Sequence, residues 1–236
     1  MKQEGKKEQV RTMFNSIAGK YDFLNHFLSL GIDHVWRKKL VNMMKQQNPR
    51  QVLDIATGTG DLAIAIAKNI PEAKIIGADI SENMLEIGKQ KVIKKKLDQQ
   101  ISMELGDSEQ LKYNDGFFDA VSVAFGVRNY EDLNLGLKEM YRVTKANGAV
   151  YILEFSKPTA FPIKQLYNFY FSYILPTLGK GVSKDQSAYT YLPESVKQFP
   201  DGTDFLKHLA DVGYKDVKQR KMTFGIVTIY SGLKNH

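Results

Sequence analysis

Two acidic residues flank a pair of glycines in the stretch from Asp54 to Asp61, which reads Asp-Ile-Ala-Thr-Gly-Thr-Gly-Asp. Glycine lets the backbone turn sharply and approach a ligand closely, so Gly58 and Gly60 are typical of a loop that holds a nucleotide-like group. Asp79 follows 19 residues after Gly60. An acidic side chain at that spacing can accept hydrogen bonds from ribose hydroxyls. We therefore predict a site for a ligand that contains a nucleoside.

The charge of the ligand separates the candidates. Gly58, Gly60 and Ala63 satisfy the pattern G-x-G-x-x-A, which by itself fits a nicotinamide dinucleotide. Asp54 and Asp61 would repel a pyrophosphate, whereas S-adenosylmethionine has no phosphate and carries an ammonium and a sulfonium. The residues favour S-adenosylmethionine as the cofactor. A dinucleotide site, or a structural turn in which Asp54 only ties down loop amides, remains an alternative.

Short apolar runs alternate with helical patterns around this loop. The spacing of apolar residues predicts strands over 51–56, 74–79, 101–105, 118–125 and 148–155, and helices over 61–68, 81–95 and 133–141. Strand and helix alternation is typical of βαβ units with right-handed crossovers, and hence of an α/β fold with a doubly wound, mostly parallel sheet. Residues 214–223 and 224–233 predict two further, adjacent strands after a helix over 203–213. A parallel sheet closed by a late antiparallel strand resembles a Rossmann-like, seven-stranded class I methyltransferase.

Length and composition bound the organisation of the chain. The 236 residues are 43% hydrophobic and 25% charged, as in globular proteins. We predict one domain over 1–236, with an N-terminal helical cap over about 1–48, in which Asp33 caps the second helix, and an aromatic-rich helical insertion over about 158–200. Neither a run of 18 apolar residues nor an apolar leader after Met1 occurs, so we expect a cytoplasmic protein. The absence of cysteine excludes thiolate metal sites and a cysteine nucleophile.

Charge and aromatic content suggest a lipid partner. The net charge is +7, with the excess at the two ends of the chain. A basic excess favours an anionic partner, either nucleic acid or the inner face of a membrane, with ordinary solubility charge as the alternative. No Pro-Pro-Tyr or Pro-Pro-Phe follows the fourth predicted strand, so we expect no nucleic-acid substrate. Residues 161–191 hold 8 of the 26 aromatic residues and predict a helix with a broad apolar face. Such a face suits a prenyl tail and peripheral contact with a bilayer. Alternatively, the helix covers the sheet or forms a homodimer interface.

Four sequence blocks resemble one family, the ubiquinone/menaquinone biosynthesis C-methyltransferases. They are residues 21–31 with Trp36, the Phe-Gly-Val-Arg-Asn of 125–129, residues 142–145 together with 153–158, and the Tyr-Thr-Tyr-Leu-Pro-Glu-Ser of 189–195. The resemblance runs from about residue 14 to residue 232. The chain departs from the family at 33–34 and 146–147, and Ala124 replaces a serine that lines the cofactor pocket in some members.

The resemblance implies S-adenosylmethionine-dependent methylation of a ring carbon of a prenylated demethylquinol. It implies cofactor contacts at Thr59, Asp79, Asp107 and Ser108, the last through its backbone. We favour demethylmenaquinol as the substrate because the stretch before the first block is short. The ubiquinone-precursor benzoquinol, or another lipid-soluble phenol, is the alternative. Outside this class, a nicotinamide-dependent oxidoreductase and a binding module without catalysis remain alternatives.

The chemistry predicts which side chains act on the quinol. A ring carbon becomes nucleophilic when the adjacent phenol, with a pKa near 10, loses its proton. Arg128, just beyond the fourth predicted strand, is our candidate for stabilising the phenolate, with a surface salt bridge as the alternative. Tyr189 and Tyr191 are candidates for orienting the quinol hydroxyls, unless they form a packing pair in a strand or loop. The sulfonium supplies the driving force, so we expect no metal.

Overall fold

The structure is a computed structural model that describes residues 5–29, 31–170 and 187–235, with the backbone alone at 23–24, 27–28 and 187–190. The strands are β1 (Gln51–Ile55), β2 (Lys74–Asp79), β3 (Ile101–Leu105), β4 (Phe118–Ala124), β5 (Thr144–Phe155), β6 (Lys215–Met222) and β7 (Val227–Leu233). The helices are α1 (Lys6–Leu28), α2 (Asp33–Lys45), α3 (Asp61–Asn69), α4 (Glu82–Lys94), α5 (Leu133–Val143), α6 (Ile163–Phe169), α7 (Ser187–Gln198) and α8 (Thr203–Asp211).

The seven strands form one sheet in the order β3-β2-β1-β4-β5-β7-β6. β1 to β5 are parallel, and β7 pairs antiparallel with both β5 and β6. Successive residues Val52 and Leu53 are both fully buried, in two different apolar clusters, because helices cover both faces of the sheet. The predicted α/β fold with a doubly wound, mostly parallel sheet of seven strands is confirmed.

The strand order reverses beside β1, which pairs with β2 on one side and β4 on the other. Ligands bind in the crevice at such a switch point, outside the carboxyl ends of the strands. Those ends deliver the loop after Ile55, the side chain of Asp79 and the loop after Ala124 to one edge of the sheet. No helix of the described residues is long and apolar enough to cross a bilayer.

Some local predictions are wrong. Asp33 does not cap α2: the N-cap is Ile32, and the Asp33 carboxylate is buried against Arg37 and accepts from the His26 imidazole at 2.9 Å. β5 begins at Thr144 rather than at residue 148, across an irregularity in its register with β4. The 189–195 block lies in α7, not in a strand or loop. Part of the aromatic segment, residues 171–186, lies outside the described residues.

Candidate active site

The glycine loop between β1 and α3 depends on left-handed backbone. Gly58 has φ +56° and Gly60, the N-cap of α3, has φ +80°, values that glycine adopts at little cost. A third glycine, Gly88 in α4, lets that helix approach the loop: a Cβ there would lie 2.4 Å from Met103 Cε and 3.3 Å from the Thr59 carbonyl carbon. The loop is therefore held between two neighbouring elements.

Asp79 ends β2 directly beside the loop. Its Oδ2 accepts a hydrogen bond from the Gly58 amide at 2.8 Å, and its Oδ1 accepts from the Ser81 amide at 2.9 Å. Burial raises the pKa of Asp79 because the charged form loses its hydration. The carboxylate fixes the glycine loop and still lines the adjoining cavity, where its remaining lone pairs can meet ribose hydroxyls.

A cavity that opens to solvent lies at this edge of the sheet. Its floor comes from the ends of β1, β2 and β4, and one wall comes from Gly106, Asp107 and Ser108 after β3. Helix α1 supplies the cover, with Lys7, Val10, Phe14 and Tyr21. The structure thus brings Gly58, Asp79, Asp107 and Ser108 together at one cavity.

Lys7 ties the start of α1 across the cavity. Its Nζ donates to Asp107 Oδ2 at 2.7 Å and lies 3.1 Å from Glu109 Oε2. Its neighbour Lys6 donates to the carbonyl oxygen of Tyr130 at 2.5 Å. Lysines are disfavoured at a helix N-terminus by the helix dipole, so these contacts across the cavity account for their position.

Asp54 lies on a second, smaller cavity of about 330 Å³, behind the glycine loop. Its side chain is buried and accepts from Thr57 Oγ1 at 2.7 Å and from Ser122 Oγ at 2.8 Å. Asp54 therefore supports the loop through the Thr57 hydroxyl, which resembles the alternative in which it only ties down the loop. It also faces a cavity. Burial raises its pKa to about 6. A nearby Arg37 guanidinium lines the same cavity.

Thr59 and Gly60 do not line the larger cavity; Thr59 lines the smaller one. The Thr59 hydroxyl donates to Asp22 Oδ1 on α1, and Lys91 Nζ donates to both Asp22 and Asp61. This network joins α1, α3 and α4 around the loop, so residues distant in sequence fix the geometry of the site.

Arg128 lies in the single helical turn after β4, at the carboxyl edge as predicted. It is not a surface salt bridge: its side chain is 7% exposed, and its Nη1 donates to Oε1 of the fully buried Glu154 at 2.7 Å and to the Phe125 carbonyl at 2.5 Å. Its Nε is buried without a hydrogen-bond partner among the described residues. The guanidinium also lies 5.5 Å from the centre of the Phe155 ring.

Tyr191 is half-buried on α7, and its hydroxyl donates to Asn129 Oδ1 at 3.0 Å, one residue from Arg128. The side chain of Tyr189 lies outside the described residues. Sequence reasoning missed Tyr21, which lines both cavities, and Glu154, the partner of Arg128. A single carboxylate within the apolar run 149–155 was the available signal for Glu154, since an unpaired charge is rarely buried.

Comparison with sequence families and with curated proteins gives a consistent result. The model of the ubiE/COQ5 methyltransferase family matches residues 2–234. The demethylmenaquinone methyltransferase of Bacteroides fragilis is 49% identical over 232 residues, covering 98% of this chain and 95% of the relative. The ubiquinone/menaquinone biosynthesis C-methyltransferase UbiE of Geotalea uraniireducens is 45% identical over 230 residues, covering 97% of each chain.

Solved structures share the fold at much lower sequence identity. A SAM-dependent methyltransferase from Aquifex aeolicus superimposes with a TM-score of 0.59 and 18% identity, covering 81% of this chain and 87% of that one. The phosphoethanolamine N-methyltransferase 2 of Haemonchus contortus, in complex with S-adenosyl-L-methionine, gives a TM-score of 0.62 and 15% identity, covering 84% of this chain and 52% of that one.

Proposed function

Because the chain belongs to the ubiE/COQ5 methyltransferase family, we propose that it methylates a ring carbon of a prenylated demethylquinol, with demethylmenaquinol as its substrate and S-adenosylmethionine as the methyl donor. The name of the Bacteroides fragilis relative supports this substrate. A methyltransferase family sets aside the nicotinamide oxidoreductase and the binding module without catalysis. The name of the Geotalea relative also favours a second candidate substrate, the ubiquinone-precursor benzoquinol.

The observation that carries the proposal is the junction of the two cavities. Tyr21, Ala56 and Phe125 line both of them. The larger cavity has the acidic groups suited to a ribose and an adenine, and the smaller one has Asp54 and Arg37, suited to an ammonium and a carboxylate. A ligand with a nucleoside at one end and an amino acid at the other fits this arrangement.

When bound, S-adenosylmethionine supplies an electrophilic methyl group. We propose that Asp79 accepts from the ribose hydroxyls, that the Asp107 carboxylate and the Ser108 backbone meet the adenine edge, and that Asp54 attracts the ammonium. The remaining cofactor residues belong to the glycine loop itself. We propose that Gly58 meets the cofactor in the larger cavity, that Thr59 meets it in the smaller one, and that Gly60 contributes by shaping the loop.

Arg128 is our candidate for activating the acceptor. A phenol has a pKa near 10, so the site must stabilise the phenolate at neutral pH. Glu154 and the Phe125 carbonyl hold one end of the guanidinium, and the buried Nε keeps an unused donor. We propose that the positive charge of the guanidinium stabilises the developing phenolate oxygen, and that Tyr189 and Tyr191 orient the quinol hydroxyls.

The test is methyl transfer by the purified protein from radiolabelled S-adenosylmethionine. We expect label in demethylmenaquinol supplied in detergent under reducing conditions, and a smaller rate with the demethylated benzoquinol. Faster methylation of the benzoquinol would reverse the order of the two candidate substrates. Transfer to neither quinol, from a protein that binds S-adenosylhomocysteine, would refute the quinol as acceptor.

The proposal includes the place where the enzyme meets its lipid substrate. We propose one methyltransferase domain over 1–236, with the cap over about 1–48 and the insertion over about 158–200, and peripheral, reversible contact with membrane lipid. Support comes from the basic excess of the chain and from the exposed aromatic Phe161 at the start of the insertion.

A further inference from the structure

The turn between β6 and β7 carries a strained aromatic residue in water. Phe224 has φ +57° and ψ +21°, in the left-handed region, and its side chain is 77% exposed. That conformation is unfavourable for a residue with a bulky side chain. Exposure of a large ring adds no stability to the isolated chain. A residue that opposes local preference in this way is typical of a functional surface.

Contacts on both sides fix the position of this turn. Trp36 Nε1, on α2, donates to Thr223 Oγ1 at 2.7 Å, and Ser156 Oγ, after β5, donates to the Gly225 carbonyl at 2.8 Å. Three segments therefore meet: the start of α2, the β6–β7 turn, and the link from β5 to α6. Exposed apolar side chains lie on these segments and on helix α6, which follows the link. We call them the apolar tip: Val35 (58% exposed), Phe161 (81%), Leu166 (61%) and Phe224.

Basic side chains accompany the apolar tip on all three segments. They lie in the first turn and a half of α2, on the stretch that follows β5 and near the end of β6. Exposed basic side chains beside the tip include Lys38, Lys164, Arg220 and Lys221. An apolar tip within a basic rim complements an anionic bilayer surface.

Aromatic contacts lead from the tip to the candidate active site. The ring of Trp36 lies 6.4 Å from that of Phe155, and Phe155 lies 4.8 Å from Phe125. Phe155 also lies beneath the Arg128 guanidinium. Packed aromatic side chains thus connect the segment that carries the apolar tip with the residue that we propose acts on the quinol.

We infer that the apolar tip docks onto an anionic lipid bilayer, with Phe224 inserted at the boundary of headgroups and acyl chains and the basic rim on the headgroups. This inference identifies the surface that binds the membrane. It rests on the proposed function in one respect: a lipid-soluble quinol is the reason for a bilayer to lie at this end of the sheet. A prenylated quinol would then reach the site from the lipid without crossing water.

The experiment measures co-flotation of the full chain with vesicles of phosphatidylcholine and phosphatidylglycerol. Phe224→Gly should weaken binding about tenfold, because a Phe side chain that leaves water contributes at least that factor. The same change should keep or raise the melting temperature, because glycine tolerates the left-handed conformation. A structural role for Phe224 would lower it. Phe117→Ala, at a partly exposed Phe before β4 and so at the opposite edge of the sheet, should leave vesicle binding unchanged.

Charge reversal gives a second, matched pair. Arg220→Glu with Lys221→Glu should weaken binding by about fivefold or more for each position. Lys94→Glu with Lys95→Glu, in the densest lysine run of the sequence, changes the net charge equally but should leave binding within twofold. Equal losses for the two pairs would show that net charge alone drives binding and would overturn the proposal.

Two further outcomes overturn the proposal. Equal vesicle binding by Phe224→Gly and the unaltered chain would remove the tip from the interface. A dimer in sedimentation that Phe224→Gly converts to a monomer would assign the surface to a second copy of this chain. Affinity for S-adenosylhomocysteine and methyl transfer to detergent-dissolved quinol test the proposed function separately, and we expect both to be unchanged in Phe224→Gly.

Discussion

Glu154, at the end of β5 and fully buried, accepts a hydrogen bond at 2.7 Å from Arg128, which follows β4. Burial raises the pKa of Glu154, while Arg128 and the backbone amides of Phe155 and Arg128 favour its charged form. A buried ion pair of this kind contributes little net stability, but removal of one partner is costly. The pair is therefore better explained as a device that fixes the guanidinium at the carboxyl edge of the sheet.

Arg128→Lys should lower kcat about 100-fold, because an ammonium on a flexible stem lacks the planar fork that Glu154 and the Phe125 carbonyl hold, and its charge is not fixed at the position of the guanidinium. Affinity for S-adenosylhomocysteine should stay within about threefold. Steady-state kinetics with demethylmenaquinol and calorimetry measure the two effects. An unchanged kcat would remove Arg128 from the chemistry.

Asp54→Asn should raise stability at pH 7 by roughly 2 kcal/mol. The native carboxyl has a pKa of about 6 against an ordinary value of 3.8. The folded chain therefore holds its proton more tightly, and the aspartate costs stability as the pH rises from about 4 to 6. Thermal unfolding of both proteins from pH 4.5 to 7.5 measures this, and we expect the gap between them to widen across that range. A gap independent of pH would refute the assignment.

The same substitution should weaken cofactor binding at neutral pH. Asp54 carries its charge above pH 6 and then attracts the ammonium of S-adenosylhomocysteine. Affinity of the unaltered chain should fall as the pH drops below 6, and affinity of Asp54→Asn should not follow that change. Calorimetry at pH 5 and pH 7.5 distinguishes the two proteins. Parallel pH profiles would show that Asp54 serves the loop alone.

Asp79→Asn should weaken S-adenosylhomocysteine binding about tenfold or more, since hydrogen bonds to a charged group contribute roughly 1.5–3 kcal/mol. Asp79 accepts hydrogen bonds from the backbone amides of Gly58 and Ser81. The side-chain nitrogen of the introduced asparagine would face one of these amides as a second donor, and that hydrogen bond would be lost. Asp98→Asn, on an exposed turn after α4, is the matched control and should bind normally. Similar affinities for the two variants would contradict the ribose contact.

Gly88→Ala should destabilise the fold by about 1–3 kcal/mol and weaken cofactor binding, because the new methyl group would collide with Met103 and press on the backbone of Thr59. Gly19→Ala is the helical control: a Cβ there meets nothing within 4 Å, so we expect a gain of roughly 0.5–1 kcal/mol. Denaturant unfolding measures both. A neutral Gly88→Ala would mean that Met103 moves aside without cost.

Tyr191→Phe should raise the KM for the quinol about fivefold, because loss of the hydroxyl leaves both Asn129 and the substrate without a hydrogen-bond donor. Tyr189→Phe tests the second tyrosine in the same assay. Affinity for S-adenosylhomocysteine should not change in either variant. An effect on that affinity with a normal KM would assign these tyrosines to the cofactor side of the site.

The sequence by itself determined the architecture and the outline of the candidate cofactor site. Strands buried on both faces appear in the sequence as short apolar runs, which is why β1 to β5 were predicted. A left-handed turn favours glycine, which is why the loop at Gly58 and Gly60 was predicted. Asp79 and Asp107 follow from position alone, since the ends of parallel strands meet at one edge. Strand limits were less well predicted: residue pairing across the sheet, not local preference, starts β5 at Thr144.

Tertiary structure alone decided which side chains meet. Arg128 and Glu154 are 26 residues apart, Lys7 and Asp107 are 100 apart, and Asp54 shares its carboxylate with a serine on β4. No periodicity encodes such pairs, because they depend on the path of the chain between strands. Burial then decides how each carboxyl group behaves. The carboxylate of Asp33 is paired with Arg37, whereas burial raises the pKa of the Asp54 carboxyl to about 6. Desolvation and a buried partner arise only when the chain folds, so a short stretch of sequence does not predict them.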